Sequence, residues 1–194
     1  MTPRPIPELA LAARDVLAVL DDAGIRACVI GALAVHRWGE PRATSDADFS
    51  ALAPYGDERP TIDALLGHFE KRRADAEAFA MVSRVLLLRT KEGVEIDVAL
   101  AAFPFELEAL ELASSWEILP GIPLRTCPAE HLIVYKLVAA RHHDLGDMVS
   151  IVQRQAKRLD VDCVRRWGRE FAELKEDPDL LRPFEEALRK ANAG

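Results

Sequence analysis

The segment Val29-Ile30-Gly31-Ala32-Leu33-Ala34-Val35-His36-Arg37-Trp38-Gly39-Glu40-Pro41-Arg42-Ala43-Thr44-Ser45-Asp46-Ala47-Asp48-Phe49-Ser50 decides how the chain is read. The apolar run that leads into it, Ala27 to Ile30, suits a short strand. Gly31 breaks that strand, and Ala32 to Trp38 reads as a short helix that Gly39 stops. Pro41 gives the next residues loop character, and Ser45 to Ala53 then alternates polar and apolar positions as a half-buried strand does. Residues two apart on a strand share a face, so Asp46 and Asp48 present their carboxylates side by side.

Working outward, Leu9, Val16, Leu17 and Leu20 recur at helical spacing, which predicts an amphipathic helix over Pro7 to Ala23 that ends at Gly24. Thr61 to Phe69 reads as a second helix with Pro60 near its start, and Glu70 to Glu77 as a charged stretch. Val85 to Leu88 and Val94 to Val98 flank Lys91-Glu92-Gly93, a turn whose glycine suits positive φ, so the pair predicts a β-hairpin. Trp116 to Leu124 predicts a short strand or extended turn around Pro120-Gly121. From Pro128 onward the pattern is mostly helical. The expectation is an α/β (α+β) protein: a mixed sheet flanked by helices over 1–126, and a mostly helical region, 127–194, packed on it.

Composition narrows the class. The chain has 194 residues, 49% hydrophobic and 29% charged, as soluble globular proteins do. A net charge of −7 lacks the basic footprint of a general nucleic-acid binder. Cys28, Cys127 and Cys163 form no metal-finger spacing. No run approaches the roughly 18 apolar residues of a membrane span, and prolines and charges interrupt the first residues where a signal peptide is apolar, so a cytoplasmic protein without a membrane partner is expected.

The chemistry rests on carboxylates and a glycine. Two anions held side by side repel, and a magnesium ion, which takes carboxylate oxygens, resolves the repulsion. Gly31 follows a strand and opens a helix, where free N–H groups and the positive helix end face an anion, so it reads as a phosphate cradle. Asp97 is a third carboxylate inside the apolar frame Val94 to Leu100, with Glu95 on its face as a competitor for the same role.

Together these residues resemble the polymerase β-like nucleotidyltransferase superfamily, whose signature is an apolar strand, Gly-Gly or Gly-Ser, a short helix and Asp-x-Asp on the next strand. Gly31, Ala34, Gly39, Arg42, Thr44, Asp46 and Asp48 fill a pattern like that of the bacterial branch containing abortive-infection type nucleotidyltransferase toxins. Ile96-Asp97 resembles that branch's later strand. Lys136, Ala139, Arg141, Asp144 and Asp147 match its K-x-x-A-x-R-x-x-D-x-x-D run. Ala32 departs from the signature, standing where it has a second glycine or serine: it cannot donate the phosphate hydrogen bond of serine-bearing members, which leaves backbone N–H groups to hold a phosphate.

The resemblance implies transfer of a nucleoside monophosphate from a nucleoside triphosphate such as ATP to an acceptor hydroxyl. Asp46, Asp48 and Asp97 are its expected magnesium ligands and, with Lys136, its catalytic set. Gly31, Ala32, Arg42, Thr44 and Arg141 are the expected nucleotide-binding residues. The acceptor stays open between a protein, a transfer RNA and a small molecule, and an antitoxin-like protein is a further expected partner. Asp144 and Asp147 also read as the N-cap and first turn of a helix, and His142-His143 as surface. The rival reading is a nucleotidyltransferase fold that binds nucleotide or a toxin–antitoxin partner without catalysis. A metal-dependent nuclease fits the carboxylates but not the glycine cradle.

Overall fold

The computed structural model describes residues 3–193. Two compact units emerge: one holds the chain up to Ala34 together with Ala43–Cys127, and the other holds Val35–Arg42 together with the chain from Pro128 on.

The first unit is built on a seven-stranded mixed sheet. In chain order its elements are α1 (Ile6–Asp22), β1 (Ala27–Val29), α2 (Gly31–Trp38), β2 (Asp46–Leu52), α3 (Arg59–Leu66), β3 (Glu70–Lys71), α4 (Ala76–Ser83), β4 (Val85–Arg89), β5 (Glu95–Ala101), α5 (Pro104–Glu111), β6 (Ser114–Leu119) and β7 (Ile122–Thr126). The strands lie in the order β3-β4-β5-β2-β1-β7-β6, and α2 carries the chain out of the unit. β2 runs parallel to β5 and β1 parallel to β7, while the remaining pairs are antiparallel.

Alternation along β2, β4 and β5 sorts their side chains. Ala47, Phe49, Leu86, Leu88, Ile96 and Val98 enter the core with Leu9, Leu20, Ile62 and Leu65 from α1 and α3. Asp46, Asp48, Glu95 and Asp97 therefore take the opposite face of the same strands, and all four are half-buried.

Several details differ from the sequence expectation. Glu70 to Glu77 is more than a charged stretch, because it contains β3 and the start of α4. α4 buries only Ala76 and Ala80 and leaves Met81 and Val82 exposed, so it carries little helical periodicity. α5 has no counterpart in the sequence reading. Its start is made by Pro104 and by Glu106, whose carboxylate accepts from Ala102 N at 2.8 Å and Phe103 N at 3.0 Å. The stretch Trp116 to Leu124 resolves into a hairpin, β6 and β7, turning at Gly121 with φ +77.

The second unit contains α6 (Ala129–Ala139), α7 (His142–Gln155), α8 (Val161–Leu174) and α9 (Arg182–Ala193). The N-cap of α7 is Arg141, not Asp144, so Asp144 lies in the first turn and Asp147 beyond it, and no side chain caps the helix. Residues 38–42 are tied to α7. Arg154 donates to Gly39 O at 2.6 Å and Gln155 to Trp38 O at 2.9 Å, while Ser150 Oγ accepts from Glu40 N at 3.1 Å. Gly39 is required for this approach, because a Cβ there would fall 2.5 Å from Ser150 Oγ and 2.9 Å from Ile151 Cγ1. Among the described residues no helix is long and apolar enough to cross a membrane.

Candidate functional site

Strand register brings four acidic residues of the first unit into two rows. Asp46 is aligned with Glu95 and Asp48 with Asp97 across the parallel β2–β5 pair. Neighbouring strands lie about 4.8 Å apart, so each row places two carboxylates on adjacent backbones and one face. At an effective dielectric near 20, two like charges at that spacing repel by on the order of 3 kcal/mol. The arrangement therefore calls for compensating positive charge.

Part of that compensation is Arg72, a residue the sequence reading did not single out. β3 pairs with β4, Lys71 opposite Leu88, and the bond from Arg72 N to Leu87 O (3.1 Å) carries the pairing one residue farther. Leu87 is in turn aligned with Asp97. Arg72, the residue after β3, thus falls in one row with Leu87, Asp97 and Asp48. The Arg72 guanidinium spans two carboxylates, with Nη1 donating to Glu95 and Nη2 to Asp97. Burial pushes the Asp97 carboxyl above its ordinary range. Arg72 works against that rise, and the charges of Asp46 and Glu95 add to it.

The other residues of this unit are held by local structure. Ile30 N donates to Asp48 O at 2.9 Å, which ties the end of β1 to β2. Gly31, the first residue of α2, has φ +61, and a Cβ on it would lie 1.9 Å from Asp48 Oδ2. Only glycine admits both the backbone conformation and the Asp48 side chain. Ala32 follows and is buried. Thr44 is buried, and its hydroxyl donates to Asp46 Oδ1 at 2.6 Å. The Thr44 carbonyl accepts from Arg4 N at 2.9 Å, and the Arg4 guanidinium donates to Gly93 O at 2.8 Å. These contacts steady both the approach to β2 and the turn before β5.

The remaining basic candidates form a separate network inside the second unit. Lys136 is buried on α6; its Nζ donates to Asp144 Oδ1 at 2.9 Å and lies 2.8 Å from Asp147 Oδ2. Arg42 grips Asp147 with two bonds, from Nε at 2.8 Å and from Nη2 at 3.0 Å. Burial alone would raise the Asp147 carboxyl, but hydrogen bonds from Arg42 and Lys136 outweigh it and hold it below the usual carboxylate range. Two cations and two carboxylates balance here, as buried charges must. Arg141 differs: its side chain is 72% exposed, with Nε 3.8 Å from Asp144 Oδ2. His142 and His143 open α7 and are exposed.

The donor set on β2 and β5 fits a magnesium ion. It offers hard carboxylate oxygens from adjacent strands, half-exposed, beside a helix start where Gly31 makes room for the Asp48 side chain.

No protein-family model and no sequence among curated proteins matches the chain. Solved structures do resemble it in fold. An antigenic nucleotidyltransferase-like protein from Paracoccidioides brasiliensis superposes with a TM-score of 0.54 at 16% identity, over 97% of this chain and 95% of that one. The antibiotic-resistance factor ANT(2'')-Ia in solution gives 0.58 at 14% identity, over 89% of this chain and 95% of its own. The same factor in complex with adenylyl-2''-tobramycin gives 0.54 at 13% identity, over 86% and 98%. The mixed sheet, its helices and these likenesses together show that the chain has the nucleotidyltransferase fold.

Proposed function

We propose that the protein is a magnesium-dependent nucleotidyltransferase that moves a nucleoside monophosphate from a nucleoside triphosphate, such as ATP, to an acceptor hydroxyl. The observation that carries this reading is the alignment of Asp48 with Asp97 and of Asp46 with Glu95, beside a glycine that leaves no room for a side chain. Asp46, Asp48 and Asp97 would hold magnesium, which when bound neutralises triphosphate charge and the charge developing on the leaving oxygen.

The chain's own residues supply the rest. The N–H groups at the start of α2 bind phosphate oxygens, which suits the positive end of a helix. Thr44 keeps Asp46 oriented through its hydroxyl. The acceptor oxygen forms its bond to the α-phosphorus, the bond to the bridging oxygen breaks, and pyrophosphate leaves with that electron pair. Asp97, whose burial raises its affinity for protons, accepts the proton of the acceptor hydroxyl. Lys136 and Arg42 serve as positioning residues, since their charge is committed to Asp144 and Asp147. Arg141 keeps its charge exposed for phosphate.

The acceptor is a protein, a transfer RNA or a small molecule; adenylyl-2''-tobramycin bound to ANT(2'')-Ia makes hydroxyl-bearing small molecules one of the classes to test. A role as the toxin-like half of a two-protein pair belongs to the same proposal. A catalytically silent binding protein is the second reading, favoured by Ala32 in place of glycine or serine and by the guanidinium on Asp97. Incubation of the purified protein with each α-labelled nucleoside triphosphate, magnesium and cell extract separates the two. Label entering a protein, RNA or small-molecule fraction, and lost in Asp48→Asn, supports transfer. Magnesium-dependent nucleotide binding with no label transferred supports the binding protein.

A further inference from the structure

Arg72 reaches its acidic partners from a distance. Its backbone is hydrogen-bonded to Leu87, so its side chain crosses the β4 backbone to reach Asp97 and Glu95 on β5. The apolar stem of an arginine suits that crossing, because it tolerates apolar surroundings while the guanidinium reaches the acids. The four carboxylates of the two rows sum to −4, and Arg72 offsets one of those charges. Thr44 serves Asp46 with a neutral hydroxyl, whereas Arg72 brings a cation to Asp97 and Glu95.

The guanidinium is not fully satisfied where it sits. Two of its terminal nitrogens are engaged, but Nε is buried and makes no hydrogen bond. A buried donor left unmade works against the bridge it belongs to. A brace evolved only for stability would be expected to satisfy that donor.

We propose that Arg72 is a built-in counter-cation, which a divalent ion must displace from Asp97, and that it thereby sets the cation affinity of the site. The inference rests on reading Asp46, Asp48 and Asp97 as metal ligands. A dication and a guanidinium repel when they share one carboxylate, so Asp97 cannot serve both at full strength. Glu95, aligned with Asp46 and already bonded to Arg72, is where the guanidinium stays when Asp97 is taken. Arg72 therefore shifts from a two-carboxylate bridge to a single partner. The metal-free face is kept from full self-repulsion, and weakly held or singly charged cations are excluded from Asp97.

The test uses the full chain and manganese, whose binding is followed by electron paramagnetic resonance, with magnesium in parallel calorimetry. Arg72→Met should bind manganese at least about tenfold more tightly than the wild type, as removal of one unit charge a few ångströms from a dication predicts even at the dielectric of water. The same variant, without metal, should melt at a lower temperature. In the wild type, a magnesium titration followed by the arginine Nε–H signals, with Arg72 assigned from the spectrum of Arg72→Lys, should move the Arg72 signal in step with binding. That second measurement holds even where Arg72→Met fails to fold. Equal or weaker manganese affinity in Arg72→Met, or an Arg72 signal that ignores saturating magnesium, overturns the proposal while leaving the metal site standing. Manganese binding by neither protein, or binding unchanged by Asp48→Asn, overturns the metal-site reading and this inference with it.

Discussion

Replacing Gly31 with alanine tests the local geometry of the candidate site directly. Two separate costs arise. A non-glycine residue at φ +61 carries about 1 to 2 kcal/mol of left-handed strain. The new methyl would also fall 1.9 Å from Asp48 Oδ2, 2.6 Å from its Cγ and 2.7 Å from its Cβ. Rotating the carboxylate away does not relieve the last contact, because the Asp48 Cβ is fixed to a backbone that bonds Ile30 and pairs with β5. Overpacking of that kind costs about 1 to 3 kcal/mol. The sum, roughly 2 to 5 kcal/mol, lowers Tm by roughly 5 to 15 °C for a chain of this size. Gly24→Ala is the matched control, since Gly24 has φ +71 with nothing within 4 Å of a built Cβ. It should show the strain alone. Urea unfolding of both variants, with magnesium-dependent nucleotide binding measured by calorimetry, separates the terms. Gly31→Ala should be the less stable and should lose nucleotide binding, while Gly24→Ala keeps it. Equal stability of the two variants within about 0.5 kcal/mol would refute the close approach of Asp48 to Gly31.

Asp48→Asn should abolish nucleotidyl transfer and weaken magnesium-dependent nucleotide binding, yet hold or raise the metal-free Tm as repulsion on the β2–β5 face falls; calorimetry with and without magnesium checks this. Lys136→Met leaves Asp144 and Asp147 buried without the ammonium between them, and urea unfolding should show a loss of about 3 to 5 kcal/mol. Asp147 sets an acid limit: its folded-state proton affinity is depressed, so its contribution is complete above the ordinary carboxylate range, near pH 4, and is lost as pH falls through and below it. Asp147→Asn should therefore be less stable at pH 7 but flatter than the wild type between about pH 5 and pH 2, and thermal melts across that range would show it.

Residues whose structure is dictated by near neighbours were legible in the sequence. Period-2 alternation placed Asp46 and Asp48 on one face of β2, and the 3.6-residue period of Leu9, Val16, Leu17 and Leu20 marked α1. Gly31 between a β-branched run and a helix, and Gly93 in its turn with φ +83, announced themselves by residue type. α4 was not legible, because a helix that buries two alanines and exposes Met81 and Val82 leaves no periodic trace.

Register belongs to the tertiary structure. Nothing local tells Asp48 that it will stand beside Asp97, since the match depends on β2 and β5 meeting in parallel with that one alignment. The same holds for Arg72, which follows a strand of two exposed residues and whose reach across Leu87 exists only once β3, β4 and β5 lie side by side in order. Lys136 shows the converse: in the sequence it is a free cation available to phosphate, but in the fold its charge is enclosed by Asp144 and Asp147. The physical reason is that burial and pairing decide what a charge can do. Both are sums over neighbours brought from distant parts of the chain, whereas periodicity and backbone conformation are properties of a few consecutive residues.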